Sequence, residues 1–494
     1  MDKRKKILCI SLYTLCGIVL ALGSLIFRLS IWIQDVYGVE FAEVLYTITS
    51  PLQGTGGNMV WVTIRDCLLP VLPVPILYTL FVVFGVFRLA GKKPAVGKVA
   101  AVLVPVVSLA VFVGGVIHTE QSLGLLTYLR TGATSTDIYE LHYVDPKEIK
   151  LTPPEEKKNL ILVYLESMET TYASVEEGGF QPVNYIPNMT RLAKENISFS
   201  DSELLGGFRM TGKTTWTMAA LFATSSGLPF SFPVEGNSMG QEKYFAPGAT
   251  TLGDILLGDG YINEFLCGSD VNFGGRKQFY EQHGDYTLYD LFTARKEGVI
   301  PEDYYHFWGF EDYILYDIAK EELTRLAQGD RPFNFTMLTV DPHHTGGYVC
   351  EQCGTDFNDA TANVIACADR QLQQFVDWCK EQPFYENTVI VLMGDHPRMD
   401  TCLVEGVQRV ERTMYNCFLN TDTENASAVT NRIFSSMDMF PTILAAMGYE
   451  IEGNRLGLGT NLFSSEQTLS ELLGYESYNQ ELFKNSRYFE MKFQ

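Results

Sequence analysis

Three long apolar runs near the start constrain this chain more than any other feature. They cover residues 7 to about 31, 68–87 and 99–117. A run of about 20 apolar residues can cross a bilayer as a helix, and a helix satisfies its own backbone there. The first run is not a plain signal peptide, because two more follow it. Lys3, Arg4, Lys5 and Lys6 precede the first run, and Arg88, Lys92, Lys93 and Lys98 separate the second from the third. The segment between the first two carries Asp35, Glu40 and Glu43, with Arg65 at its far edge. The positive-inside rule then predicts a multi-pass cell-membrane protein with a cytoplasmic N-terminus and an extracytoplasmic remainder.

Charge divides the chain in the same way. Residues 1–118 hold ten Lys/Arg and five Asp/Glu, a net of +5, which leaves −27 of the total −22 on the rest. So acidic a remainder excludes nucleic acid as a partner. The reading is a membrane region of three transmembrane helices at 1–118, a polar linker at 119–158 closed by Pro153-Pro154-Glu155-Glu156-Lys157-Lys158, and an extracytoplasmic catalytic domain at 159–494.

Within that domain the pattern is α/β. Asn159-Leu-Ile-Leu-Val-Tyr-Leu165, residues 333–340 and Thr388-Val-Ile-Val-Leu-Met393 read as buried strands of a largely parallel sheet flanked by helices. Residues 415–420 read as a further strand, 187–195 and 435–448 as helices, and the stretch from Gln467 as mostly helical. Ligands of such sheets sit beyond the carboxyl ends of the strands. Each of the three runs delivers polar groups at that end: Glu166, then Asp341-Pro-His343-His344, then Gly394-Asp395-His396. A helix beginning at about Thr215 puts Thr214 at or near a helix N-terminus, which favours anions such as phosphate. Gly207-Phe-Arg-Met-Thr-Gly212-Lys213-Thr214 has P-loop spacing, but no strand is expected directly before it and it falls in the extracytoplasmic part, away from ATP, so it is not read as a nucleotide site.

Two carboxylates, one imidazole and one hydroxyl can surround a single divalent ion, which would lower the Thr214 pKa and stabilise a transferring phosphoryl group. Arg276 after Phe273-Gly-Gly suits phosphate recognition. Cys350-Glu-Gln-Cys353 reads as a disulfide outside the cell. Cys267, Cys350, Cys353, Cys367, Cys379, Cys402 and Cys417 are odd in number, so at least one is unpaired.

The ordered set Leu165-Glu166-Ser167, Gly212-Lys213-Thr214 and Gly394-Asp395-His396 resembles the membrane-anchored phosphoglycerol transferases of the sulfatase branch of the alkaline-phosphatase superfamily. The likeness is closer to the enzyme of periplasmic glucans than to lipoteichoic acid synthase. It runs on through Tyr143-Val-Asp-Pro146, residues 341–353, Cys367-Ala-Asp-Arg-Gln371 and Gly453-Asn-Arg-Leu-Gly-Leu-Gly-Thr460. The resemblance implies Glu166, Thr214, Asp395 and His396 as ligands of one divalent metal, Mn²⁺ first and Mg²⁺ or Zn²⁺ next. It implies Thr214 as nucleophile, His343 as acid or base, and Arg276, His343 and His344 as substrate contacts. The implied reaction moves sn-glycerol-1-phosphate from phosphatidylglycerol to a hydroxyl of a glycan, teichoic acid or glycolipid. Gly274 and Cys267-Gly268 stand where the synthases carry an aromatic residue and a His, which weighs against a polymerase. A phosphoethanolamine transferase and a non-catalytic glycan-binding protein are the other readings.

Overall fold

The computed structural model describes residues 3–37, 61, 64–88, 92–232, 243–421 and 429–494. Glu40 and Glu43, used in the orientation argument, lie outside them. The described residues fall into two compact units that part at Arg130 and Thr131.

The first unit holds three helices long and apolar enough to cross a membrane: Ile7–Gln34, Ile64–Phe87 and Ala95–Leu123. They coincide with the three apolar runs. The first and third approach backbone to backbone. A Cβ on Gly23 would lie 2.5 Å from Phe112 Cα, and one on Gly115 would lie 2.7 Å from Gly23 O. Small residues at a helix crossing are what permit such contact. Leu8, Val102, Leu103 and Leu109 point outward and are exposed, as side chains that face lipid would be.

The second unit is built on a six-stranded sheet. In chain order its strands are β1 (Asn159–Leu165), β2 (Ile262–Cys267), β3 (Thr287–Tyr289), β4 (Phe333–Leu338), β5 (Thr388–Gly394) and β6 (Asn416–Leu419). They lie in the order β3-β2-β4-β1-β5-β6. All neighbours are parallel except β5 and β6. Successive side chains of a strand face opposite sides, and both sides are buried here. Leu160, Leu162, Val389 and Val391 enter one core with the helices Thr217–Ser226 and Met439–Ala446. Ile161, Val163, Ile390 and Leu392 enter the other with Asp312–Ala327 and Ala360–Lys380. Burial on both faces explains why β1 and β5 are unbroken apolar runs.

Three sequence expectations shift. The strand at 333–340 ends at Leu338, because the Val340 and Asp341 N–H groups donate to the Asp312 carboxylate at 2.7 and 3.0 Å. The helix placed at 435–448 is a tight turn at Ser436–Asp438 followed by Met439–Ala446. The helix placed from Thr215 begins at Thr217, with Trp216 extended before it at φ −137° and ψ 160°.

Candidate metal and phosphoryl-transfer site

Strand register assembles the site. Leu165 of β1 pairs with Gly394 of β5, so the next residues, Glu166 and Asp395, leave the sheet side by side. Gly394 is required there, since a Cβ would sit 1.9 Å from Met168 O. The Ser167 N–H then donates to Asp395 Oδ1 at 2.8 Å, and the His396 N–H donates to the same oxygen at 2.8 Å. Glu166 is held from the other side by its N–H on Thr339 Oγ1 at 2.9 Å, and its Oε1 accepts the Ser167 hydroxyl at 2.6 Å.

His396 Nε2 lies 3.4 Å from Asp395 Oδ2 and 3.7 Å from Glu166 Oε1. One ligand atom from each of the three residues falls within 4.8 Å of the other two, and all three residues are buried. His396 Nδ1 donates to Pro397 O at 2.9 Å, which leaves the Nε2 lone pair for a ligand or a proton. Asp395 Oδ2 is buried with no hydrogen-bond partner. Burial, and then the nearby Asp395 carboxylate, push Glu166 up to about 8, and burial raises Asp395. Two buried carboxylates, one with an orphan oxygen, beside an imidazole lone pair make a donor set that fits a divalent cation.

Besides Ser167, the hydroxyl of Thr217 reaches this trio. Its Oγ1 is 3.1 Å from His396 Nε2, and it is the first residue of a ten-residue helix. Thr214 is near the helix N-terminus, two residues before the cap residue Trp216. It lies in the turn before it, fully buried, accepting the Thr211 N–H at 3.0 Å and donating to Thr211 O at 2.8 Å.

His343 and His344 leave the end of β4. Their rings stack at 4.2 Å, and Trp308 lies 4.6 Å from the His343 ring. Burial pushes His343 down to about 3 and His344 well below the usual range, with the His396 and Arg398 charges adding to both shifts. His343 Nδ1 donates to His344 O at 2.9 Å, so its neutral ring presents Nε2 as a proton acceptor. Arg276 behaves differently. Its Nε donates to Phe273 O at 3.0 Å and its Nη2 to Ser269 Oγ and Asp270 O at 3.0 and 2.7 Å. Those bonds brace its own loop, and among the described residues none joins it to Glu166, Asp395 or His396.

Arg398 is a positioning residue that sequence reading passed over. Fully buried, it donates from Nη1 to Pro342 O at 2.9 Å and from Nη2 to Asp400 Oδ2 at 2.8 Å. It thereby ties the His343 loop to the Asp395 loop.

The family model described as Sulfatase matches residues 158–449, more than half of the chain. The chain belongs to the sulfatase family. A phosphoglycerol transferase I from Salmonella choleraesuis is 29% identical to this family member over 340 residues, 68% of this chain and 42% of that protein. A protein of the same name from Escherichia coli is 29% identical over 333 residues, 66% of this chain and 41% of its own length. The chain thus spans about two fifths of the length of these curated relatives. Among solved structures, an integral membrane lipooligosaccharide phosphoethanolamine transferase A from Neisseria meningitidis matches 89% of this chain and 84% of its own, with TM-score 0.51 and 13% identity. An alkaline phosphatase superfamily protein from Vibrio parahaemolyticus matches 70% of this chain and 79% of its own, with TM-score 0.50 and 21% identity. These two establish a shared fold: the α/β sheet here is of the alkaline-phosphatase type.

Proposed function

We propose that this protein transfers sn-glycerol-1-phosphate from phosphatidylglycerol to a hydroxyl of an extracytoplasmic glycan, teichoic acid or glycolipid, with Thr217 as nucleophile. The observation that carries the reading is the Thr217 hydroxyl, 3.1 Å from His396 Nε2 at a helix N-terminus beside Glu166 and Asp395. The relatives named phosphoglycerol transferase I support the choice of group transferred.

Glu166, Asp395 and His396 would hold one divalent ion, with the Thr217 hydroxyl as a fourth donor. Such an ion, Mn²⁺ by resemblance and Mg²⁺ or Zn²⁺ otherwise, supplies Lewis-acid stabilisation of phosphoryl charge and lowers the pKa of a bound alcohol. In the first displacement Thr217 Oγ1 gives up its proton and bonds to phosphorus, the bond from phosphorus to the diacylglycerol oxygen breaks, and that oxygen takes up the proton as diacylglycerol leaves. N–H groups at the start of the Thr217–Ser226 helix would donate to the transferring anion. In the second displacement the acceptor hydroxyl bonds to phosphorus, and its proton passes to His343 Nε2. The Thr217 oxygen is released and regains a proton. His344 lines the same loop. Arg276 contributes through its loop.

Residues 159–494 would carry this chemistry outside the cell, with residues 1–118 holding it at the leaflet that contains its lipid donor and 119–158 as linker. The test uses full-length protein in detergent with Mn²⁺ and phosphatidylglycerol carrying a fluorescent acyl chain. Release of fluorescent diacylglycerol is expected. Release from phosphatidylethanolamine alone would move the reading to a phosphoethanolamine transferase, and release from neither lipid would overturn it.

A further inference from the structure

We propose that Cys350, Cys353 and Cys367 form a second metal site, a thiolate site for one soft divalent cation of the zinc type. The proposal goes beyond the transferase reading and does not depend on it. Sequence reading took Cys350 and Cys353 for a disulfide, yet the described cysteines are all thiols. Cys350 Sγ lies 3.6 Å from Cys353 Sγ and 3.8 Å from Cys367 Sγ, and one sulfur of each residue falls within 4.8 Å of the other two. A tetrahedral zinc with Zn–S bonds of about 2.3 Å needs sulfurs about 3.8 Å apart. A disulfide would use two of the three and strand the third.

A second observation points to the same place. Gln371, one helical turn after Cys367, is buried, and its Nε2 lies 3.2 Å from Cys367 Sγ and 3.7 Å from Cys350 Sγ. Amide N–H groups aimed at sulfur suit thiolates. Its Oε1 is buried with no hydrogen-bond partner. Rotating the amide, whose two ends exchange readily, turns that oxygen toward the sulfurs as a fourth donor. On binding, three S–H protons pass to solvent and three metal–sulfur bonds form.

The site has a clear mechanical use. Between β4 and the Ala360–Lys380 helix the chain has no helix or strand, and this stretch carries His343 and His344. Cys350 and Cys353 sit on the loop and Cys367 on the helix, so the ion would staple the far limb of the loop to a rigid element.

The experiment loads full-length protein with ZnCl₂, strips loose metal on a chelating resin, and counts zinc by mass spectrometry. One tightly held zinc per chain is expected in Glu166→Gln, where the trio is disabled, and in Cys402→Ser, and its loss is expected in Cys367→Ser. Cobalt-loaded wild type should show thiolate-to-cobalt charge-transfer absorption that Cys367→Ser lacks. Should that variant fail to fold, alkylation of wild type decides. Zinc should shield Cys350, Cys353 and Cys367, and chelation should expose them together. A disulfide-linked Cys350 peptide in a non-reduced digest, zinc retained by folded Cys367→Ser, or equal alkylation with and without zinc would overturn the proposal.

Discussion

Gly394→Ala should disable the site through backbone geometry alone. The added Cβ would stand 1.9 Å from Met168 O and 2.9 Å from Met168 C, where real Cβ atoms keep at least 3.0 Å. The obstacle is main chain, two residues after Glu166, and the same carbonyl accepts the Tyr415 N–H at 3.2 Å. The end of β5 and the Glu166–Met168 turn must therefore part by about 1 Å, an overpacking cost of about 1–3 kcal/mol. That displacement falls directly on the separation of Glu166 from Asp395. A misplacement of about 1 Å costs on the order of 100-fold in rate. The assay is diacylglycerol release against Mn²⁺ concentration, with thermal unfolding in detergent alongside. Gly258→Ala is the control, since its Cβ would meet nothing within 4 Å. We expect a lower midpoint, weaker metal dependence and about 100-fold less turnover for Gly394→Ala. Wild-type turnover and metal affinity in that variant would refute the register argument.

Other outcomes follow from single contacts. Glu166→Gln removes a charged donor from the trio and should weaken metal binding by more than about 100-fold, beyond the loss typical of outer partners, as read by calorimetric titration. Glu169 is buried, accepts Arg412 Nε at 2.7 Å and accepts the Arg398 N–H at 2.7 Å. Glu169→Gln removes a buried charge that pairs with Arg412 and should cost about 3 kcal/mol or more in denaturant unfolding. Asp438 is pushed up to about 6 by burial. A carboxyl raised in the folded state stabilises below its unfolded pKa of about 3.8 and loses that contribution as pH rises through about 6. The span is worth about 3 kcal/mol. The stability of wild type relative to Asp438→Asn should therefore fall by most of that amount between pH 4.5 and 7.5, and a flat difference would count against it.

What the sequence could reveal depended on how each element is buried. β1 and β5 are covered on both faces, so they stand out as apolar runs, and the Glu166 and Asp395-His396 ends followed at once. β2 went unread because Asn263 and Glu264 interrupt it. Both are buried and find partners only in three dimensions: Asn263 donates to Gly253 O at 3.0 Å, and one oxygen of Glu264 pairs with Arg325 from another helix. The helix start was misplaced because residues that look like caps, Thr214 and Thr215, lie before it, while the residue at its cap position is Trp216. The helix thus starts two residues later than expected, at Thr217 rather than Thr215. Arg276 has the right chemistry for phosphate, and of its donors Nε and Nη2 are used on its own loop. The Cys367 thiol belongs with Cys350 and Cys353 only because a helix folds back against their loop, which no local pattern encodes.

The central claim is that Thr217 carries the group in transit. The most direct test incubates wild type, Thr217→Ala and Thr214→Ala with phosphatidylglycerol labelled in its glycerol headgroup. The reaction is quenched in acid, and the modified residue is located by fragmentation mass spectrometry. Labelled phosphoglycerol on Thr217 in wild type and Thr214→Ala, and none in Thr217→Ala, is the predicted result. Label on Thr214, or equal labelling of Thr217→Ala and wild type, would contradict it.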